Sequence, residues 1–454
     1  MKKVVKKVAK KVAKKVAKKP TKIKSAQTKN TIFVHIPAYR EPELVPTIRD
    51  CIAQAKYPAN LVFGICRQFN PEDGFDNLDE FRKDKRFRII DIPYIDAKGL
   101  PYARQQINNR LFKDEKYILQ LDSHHRFVKN WDTILIKYHN RLKKLGYEKP
   151  ILTGYIPYYD PANDPKGRTM EPWQQQFASF YPHGTIFIRP GLLENWQNTT
   201  DPVPSRFLSG HFCFADGHWA RTVEHDPDIY FSGEELNLTV RSYTNGYDFF
   251  HPPKIVIWHA TNREERSGIL VWDDQYKRGE DWWSCQNRAW KKIRTLLRTE
   301  DNPDVDLTGF DLGSVRSLQD YEHYAGFDFK NKRVQWYTLQ NNFPPNPYTT
   351  DEEWEAGFAQ SFYQNLRFDK TTFKHDDYDC WIFSFDNKDG IGLYRDDFSE
   401  GQIRQIMQSK DDWVSIEKFG LLPEIPYKWV IWAHSKSNGW AERIEHIIDN
   451  WNSQ

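Results

Sequence analysis

The chain has 454 residues, 39% of them hydrophobic and 15% aromatic, enough for more than one core, so two domains are expected. Its net charge of +3 is uneven: residues 2–24 hold twelve lysines and no acid, which leaves the rest of the chain at −9 and argues against a nucleic-acid-binding body. No apolar run reaches the ~18 residues that span a bilayer, the basic start lacks the apolar core of a secretory signal, and five scattered cysteines without a CxxC pair fit a reducing, cytoplasmic setting.

Residues 1–29 form a tail in which Lys-Lys-Val-Ala recurs every four residues. On a helix that period drifts by ~40° per repeat, so the Val/Ala stripe winds around it. Disorder in water is expected, with helix on an anionic surface. The plainer reading is a solubilising polycation.

Alternation of strands and helices begins at Thr31. "TIFVHIPAY" reads as a strand, "EPELVPTIRDCIAQA" as a helix, and "LVFGICRQF" and "FRIIDIPY" as further strands. "GLPYARQQINNRLF" reads as a helix and "YILQLD" as a strand. This βαβ order predicts an α/β fold with a mostly parallel, Rossmann-like sheet, whose ligands gather at the carboxyl ends of strands. Asp122 sits at one such end. Downstream, "PILTGYIPYY", "GTIFIRPG", "GHFCFADGHW" and "KIVIWHAT" read as strands and "SGEELNLTVRSYTNGY" as a helix. The Asn/Pro/Thr-rich "NNFPPNPYTTDEEW" reads as a linker. The expected layout is a tail (1–29), an α/β domain (30–335) and a smaller β-containing accessory domain (346–454). That last domain either binds an acceptor glycan or protein or braces the catalytic domain.

The chemistry concentrates at "YILQLDSHHRFVKNWD". Asp122 and His124 stand at i and i+2, where a small turn at a strand end brings carboxylate oxygen and imidazole nitrogen to one point. That donor pair suits Mn²⁺ or a similar divalent ion, which would hold a diphosphate. An Asp capping the next turn, beside solvated histidines, satisfies the same spacing. Glu234 and Glu235 open a helix; two acids there favour its positive end or hydrogen-bond sugar hydroxyls. His259 ends a strand. It is either a satisfied polar residue or the third member of an Asp/His/His set. Among the tryptophans, Trp173 and Trp219 are the first choices for stacking on sugar.

Six segments in order, "IFVHIPAYRE", "KGLPYARQQ", "YILQLDSHHRFVKNWD", "FSGEELNLTVRSYTNGYDFFHPP", "IVIWHATNR" and "DLGSVRSLQDYEHYAGFDF", resemble the GlcNAc-transferase family. That family includes the transferase acting on hydroxyproline of Skp1 and relatives acting on mucin-like proteins. The resemblance runs from Thr31 to Phe329 and extends, more distantly, to the polypeptide N-acetylgalactosaminyltransferases. It implies a GT-A fold, a UDP-sugar donor and a divalent metal, Mn²⁺ or Mg²⁺. Asp122 and His124 match the Asp-x-His pair, His259 the later metal ligand, and Arg104 an arginine near the nucleotide. Glu234 and Glu235 match the segment touching donor sugar and acceptor, with Glu235 where the galactosaminyl relatives have Asn. Pro37 and Tyr39 are expected beside uracil and ribose, and Arg263 within reach of the phosphates. The implied activity is retaining transfer of a sugar, GlcNAc first, to a protein or glycan hydroxyl. A non-catalytic glycan-binding protein on the same fold is the alternative.

Overall fold

The computed structural model describes residues 30–261, 269–277, 279 and 281–448. The lysine-rich tail and Arg263 lie outside the described residues. Among the described residues the chain forms two compact units. One takes residues 30–174, 191–203 and 207–289, and the other 175–190, 204–206 and 290–448.

The first unit is built on β1 (Ile32–Tyr39), β2 (Leu61–Phe69), β3 (Phe87–Pro93) and β4 (Tyr117–Leu121). Seven of the eight residues of β1 and all of β4 are buried, as expected of strands covered on both faces. Helix α1 (Leu44–Gln54) lies between β1 and β2, α2 (Leu100–Arg110) between β3 and β4, and α3 (Trp131–Lys144) follows β4. After a short β5 (His125–Phe127) come β6 (Pro150–Thr153), β7 (Phe212–Asp216), helix α4 (Glu234–Thr244) and β8 (Asp248–His251). The eight-stranded sheet runs β3-β2-β1-β4-β7-β6-β8, completed by a two-residue strand, Val203–Pro204. Pairs β2–β3, β1–β2, β1–β4 and β6–β8 are parallel, whereas β7 runs antiparallel between β4 and β6. The layout is the parallel-rich α/β sheet that the alternation predicts, with one reversed strand. Val34, Ile36, Ile65, Leu119, Leu121 and Trp131 are fully buried in its core.

Two details orient the carboxyl end of β4. The Trp131 indole Nε1 donates to the Cys51 carbonyl at 2.9 Å, tying α3 to α1. The Asp132 carboxylate accepts from the Lys56 and Tyr57 amides at 2.8 and 2.9 Å. The chain leaving β4 therefore turns between fixed supports. It forms β5, which leaves the main sheet and pairs antiparallel with β9 (Ile257–His259).

Most of the second unit is antiparallel. It contains β10 (Gln360–Asp369), β11 (Tyr378–Asp386), β12 (Gly392–Ser399), α5 (Glu400–Met407), β13 (Trp413–Leu422), β14 (Lys428–Ser435) and β15 (Gly439–Ile447). A four-stranded sheet β12-β11-β14-β15 and a two-stranded ribbon β10–β13 enclose a core around Trp381, Phe383, Phe385 and Ile431. In β11 those aromatics alternate with the half-exposed Ile382 and Ser384, the two-residue period of a one-sided strand. The Asn/Pro/Thr-rich stretch, a linker by composition, is packed rather than free. It follows the short helix Trp336–Leu339 and runs into the helix Asp351–Ala356, and its buried Asn346 bonds Thr338 Oγ1 and Arg206 Nη2. Buried polar side chains with partners hold it where its composition suggested a tether.

Among the described residues, no helix is long and apolar enough to cross a membrane.

Candidate active site

The β5–β9 ladder sets His259 opposite His125, and the Ala260 amide donates to the His124 carbonyl at 3.1 Å. Backbone pairing therefore brings His259 beside the turn that follows β4. One ligand atom from each of Asp122, His124 and His259 lies within 4.8 Å of the other two. Asp122 Oδ2 is 3.5 Å from His259 Nε2 and 4.0 Å from His124 Nε2. Ligand bonds of ~2.1 Å to a small divalent ion separate neighbouring ligand atoms by roughly 3–4 Å, so the triad is of the right size.

Asp122 and His124 are each aimed by a second contact. Asp122 is split: Oδ1 accepts from Arg104 Nη2 at 2.6 Å, while Oδ2 faces the histidines. Burial alone would raise this carboxyl, but the His259 hydrogen bond and the charges of Arg104 and His124 outweigh it and hold it well below the usual range. His124 Nδ1 meets Glu41 Oε2 at 2.9 Å. A carboxylate only accepts, so Nδ1 carries the proton and Nε2 keeps its lone pair. That Nε2 is buried and has no hydrogen-bond partner, which is how a metal-ligand nitrogen stands without its ion. The residues fit a divalent cation.

Other histidines pack around the triad. His125 Nδ1 donates to the Trp258 carbonyl at 2.9 Å and its Nε2 accepts the Asp122 amide at 3.3 Å, which fixes the neutral tautomer. His211 stacks on His259 with ring centroids 4.5 Å apart. Burial pushes both His125 and His211 well below the ordinary imidazole range, so neither adds charge at neutral pH.

Arg104 has no exposed side-chain surface. Its guanidinium donates to Asp122 and to the Gly210 carbonyl, lies 3.3 Å from Glu234 Oε1, and stands behind the triad. Glu235 accepts the Gly210 amide at 2.8 Å. Burial pushes the Glu234 and Glu235 carboxyls up to about 7. Pro37 is buried in β1, two residues past His35, whose register partner is Gln120; it therefore lies level with Asp122. Tyr39, half-buried at the strand end, donates its hydroxyl to Asp274 at 2.7 Å.

Trp219, read from sequence as a sugar-stacking side chain, is fully buried, and its Nε1 donates to Ser242 Oγ at 3.0 Å. It is a core residue: a fully enclosed ring has no face to offer a ligand. Trp173 is half-buried beside Tyr155. Glu41 and His211 escaped the sequence reading. Glu41 follows Arg40, whose backbone is left-handed at φ 45° and whose guanidinium is clamped by Asp73 and Asp274. The "YRE" ending of the first strand was the available signal; His211 had none.

A family model described as Glycosyltransferase (GlcNAc) matches residues 31–80 and 72–331. No curated protein matches the chain. Among solved structures, GalNAc-T7 with UDP, GalNAc and Mn²⁺ is similar at TM-score 0.44 and 12% identity, over 94% of this chain and 81% of that one. TarS 1–349 of S. aureus in complex with UDP-GlcNAc is similar at TM-score 0.36 and 12% identity, over 64% and 72%. The mannosyltransferase PcManGT of Pyrobaculum calidifontis in complex with GDP-Man and Mn²⁺ is similar at TM-score 0.34 and 13% identity, over 63% and 76%. The two family-model segments together run from residue 31 to residue 331, across the whole sheet and every residue of the triad, and the chain belongs to the GlcNAc glycosyltransferase family.

Proposed function

We propose that this chain is a metal-dependent transferase that moves a sugar, GlcNAc first, from a UDP-sugar to a hydroxyl of a protein or glycan acceptor with retention of configuration. The observation that carries this reading is the convergence of Asp122 Oδ2, His124 Nε2 and His259 Nε2, with the His124 nitrogen buried and unpartnered. Those three residues would hold Mn²⁺ or Mg²⁺, which supplies Lewis acidity for a diphosphate leaving group.

The chain's own part is positioning and electrostatics. Arg104, being enclosed, acts by locking Asp122 with Oδ2 forward. Glu41 fixes the His124 tautomer. Pro37 and Tyr39 flank the nucleotide from the end of β1, and Arg263 reaches its phosphates. Glu234 and Glu235, with carboxyls near 7, can each hold or yield a proton at neutral pH and hydrogen-bond sugar and acceptor hydroxyls. In an inverting enzyme one of them would be the base.

The proposed organisation is a transferase domain over 30–335 and an accessory domain over 346–454. The setting is cytoplasmic, and the lysine-rich tail contacts anionic surfaces. A donor screen with purified protein and Mn²⁺, reading free nucleotide from each UDP- and GDP-sugar, tests the reading. UDP release from one UDP-sugar that disappears in Asp122→Asn/His124→Ala supports it. Release from none points to a non-catalytic glycan binder. The product's anomeric configuration by NMR separates retention from inversion.

A further inference from the structure

Behind Glu234, the first residue of α4, lies a chain of buried polar side chains whose hydrogens can be counted one by one. Gln120, on β4, is wholly enclosed, and its Nε2 donates to the Gly210 carbonyl at 2.9 Å. A carbonyl only accepts, so this amide has one orientation. Its Oε1 therefore faces His225 Nε2, 2.7 Å away, and that nitrogen carries a hydrogen. His225 is 1% exposed and lies between the short helix Trp219–Thr222 and α4. Its other nitrogen, Nδ1, stands 3.3 Å from Glu234 Oε1. Both atoms are buried, and neither makes a hydrogen bond elsewhere.

A neutral imidazole with its hydrogen on Nε2 has a bare lone pair on Nδ1, and an ionised carboxylate has nothing to give it. Two lone pairs facing each other in a buried site repel; one proton between them turns the same contact into a hydrogen bond. The surroundings decide which atom owns it. Burial, with the charges of Arg104 and Arg241 added, pushes the His225 imidazole well below its ordinary range. His35, whose ring stacks on His225 with centroids 5.9 Å apart, donates its Nε2 hydrogen to the Arg104 carbonyl at 3.1 Å and brings no charge to offset them. On the carboxyl side one guanidinium, Arg104, stands between two acids, 2.6 Å from Asp122 and 3.3 Å from Glu234, so an ionised Glu234 would have only a share of a counter-charge. Burial and the Asp122 charge raise Glu234 to about 7 against the pull of Arg104. Glu235, next on the helix, is engaged by the Gly210 amide. The other Glu234 oxygen has room before it: a methyl group added at Gly210 would stand 3.5 Å from Oε2, with Arg104 Nη1 at 3.4 Å and the Glu235 side chain at 3.6 Å.

We propose that His225 is a positioning residue of the transfer site: its Nδ1 lone pair keeps a proton on Glu234 Oε1, so that Glu234 turns an uncharged carbonyl oxygen, Oε2, toward the donor sugar and accepts a hydroxyl hydrogen there. This role rests on the reading of Glu234 as a sugar contact. A carboxyl that already holds its proton is no general base, so His225 also removes Glu234 from the two candidate bases of an inverting reaction and leaves Glu235 alone.

The test has two arms, both on the full chain. In the first, without metal or nucleotide, protein isotopically labelled at histidine nitrogens and glutamate carboxyls is observed by NMR at about pH 6, where an ordinary glutamate is ionised and an ordinary histidine mostly charged. His225→Asn and Glu234→Gln assign the two signals. A neutral His225 with its hydrogen on Nε2, beside a protonated Glu234, is expected; a charged His225 or an ionised Glu234 overturns the proposal. The second arm compares the pH dependence of kcat/KM for the UDP-sugar, with Mn²⁺, in wild type and His225→Leu. Leucine removes the acceptor that stabilises the acid form, so transfer should decline with rising pH about one unit earlier, the scale of one lost hydrogen bond. A merely structural role would lower activity by one factor at every pH, and profiles of the same shape overturn the proposal. Should His225→Leu fail to fold by circular dichroism, the first arm decides. Absence of turnover by the wild type sinks the transferase reading itself, an outcome distinct from intact turnover with the proton in the wrong place.

Discussion

Replacing Glu41 by alanine isolates the group that aims His124. The Glu41 Oε2–His124 Nδ1 contact is 2.9 Å long, with side-chain exposures of 2% and 9%, so water does not replace the lost acceptor freely. Removing an outer carboxylate partner of a metal-bound histidine typically costs ~10–100-fold in metal affinity. At about 1.4 kcal/mol per tenfold, that is ~1.4–2.8 kcal/mol. Glu41→Gln keeps an acceptor oxygen at the same place but loses the charge, so it should fall between wild type and alanine. The assay is Mn²⁺ titration with saturating UDP, reading free Mn²⁺ by electron paramagnetic resonance. A Glu41→Ala protein with intact circular dichroism that binds Mn²⁺ within twofold of wild type would refute the argument.

Arg104→Met should lower the unfolding midpoint sharply, since the enclosed guanidinium neutralises both Asp122 and Glu234; breaking such a buried pair costs ~3–5 kcal/mol, to be read by denaturant titration. The pH dependence has a definite sign at Glu234, whose carboxyl is raised by burial from an ordinary 4.5 to about 7. Between those values the folded state binds more protons than the unfolded one, so this residue lowers stability as pH rises from 4.5 to 7. Glu234→Gln should flatten that decline in denaturant midpoints measured across the interval. Gly64→Ala should destabilise by ~1–3 kcal/mol or more, because the added carbon would lie 2.0 Å from the Phe33 ring and 2.9 Å from Ile107; Gly74→Ala, with open space around it, tests only backbone strain and should be much milder in thermal melts.

Much of the first unit was legible because burial writes itself into composition. Strands covered on both faces, such as β1 and β4, read as unbroken apolar runs, and the acid that ends β4 marks the sheet's ligand side. The direction of β7 was not legible, since "HFCFAD" would look the same paired either way. Asp122 and His124 could be coupled by spacing, but His259 could be joined to them only through a resemblance, because its proximity comes from a three-residue ladder that leaves no local trace. Arg104 was placed near the nucleotide by its motif, yet its burial behind Asp122 depends on Gly210 and Glu234, remote in sequence. Glu41 was hidden because a carboxylate after a strand gives no sign of which imidazole it will meet.

The ladder between β5 and β9 has a temporal consequence. A ribosome that has emitted only the first half of the protein has made Asp122 and His124 but not the segment carrying His259. Until residue 259 has emerged and zipped onto residue 125, the nascent polypeptide lacks one of the three side chains proposed to hold the ion, and on that proposal chain order itself would disfavour premature capture of metal during synthesis.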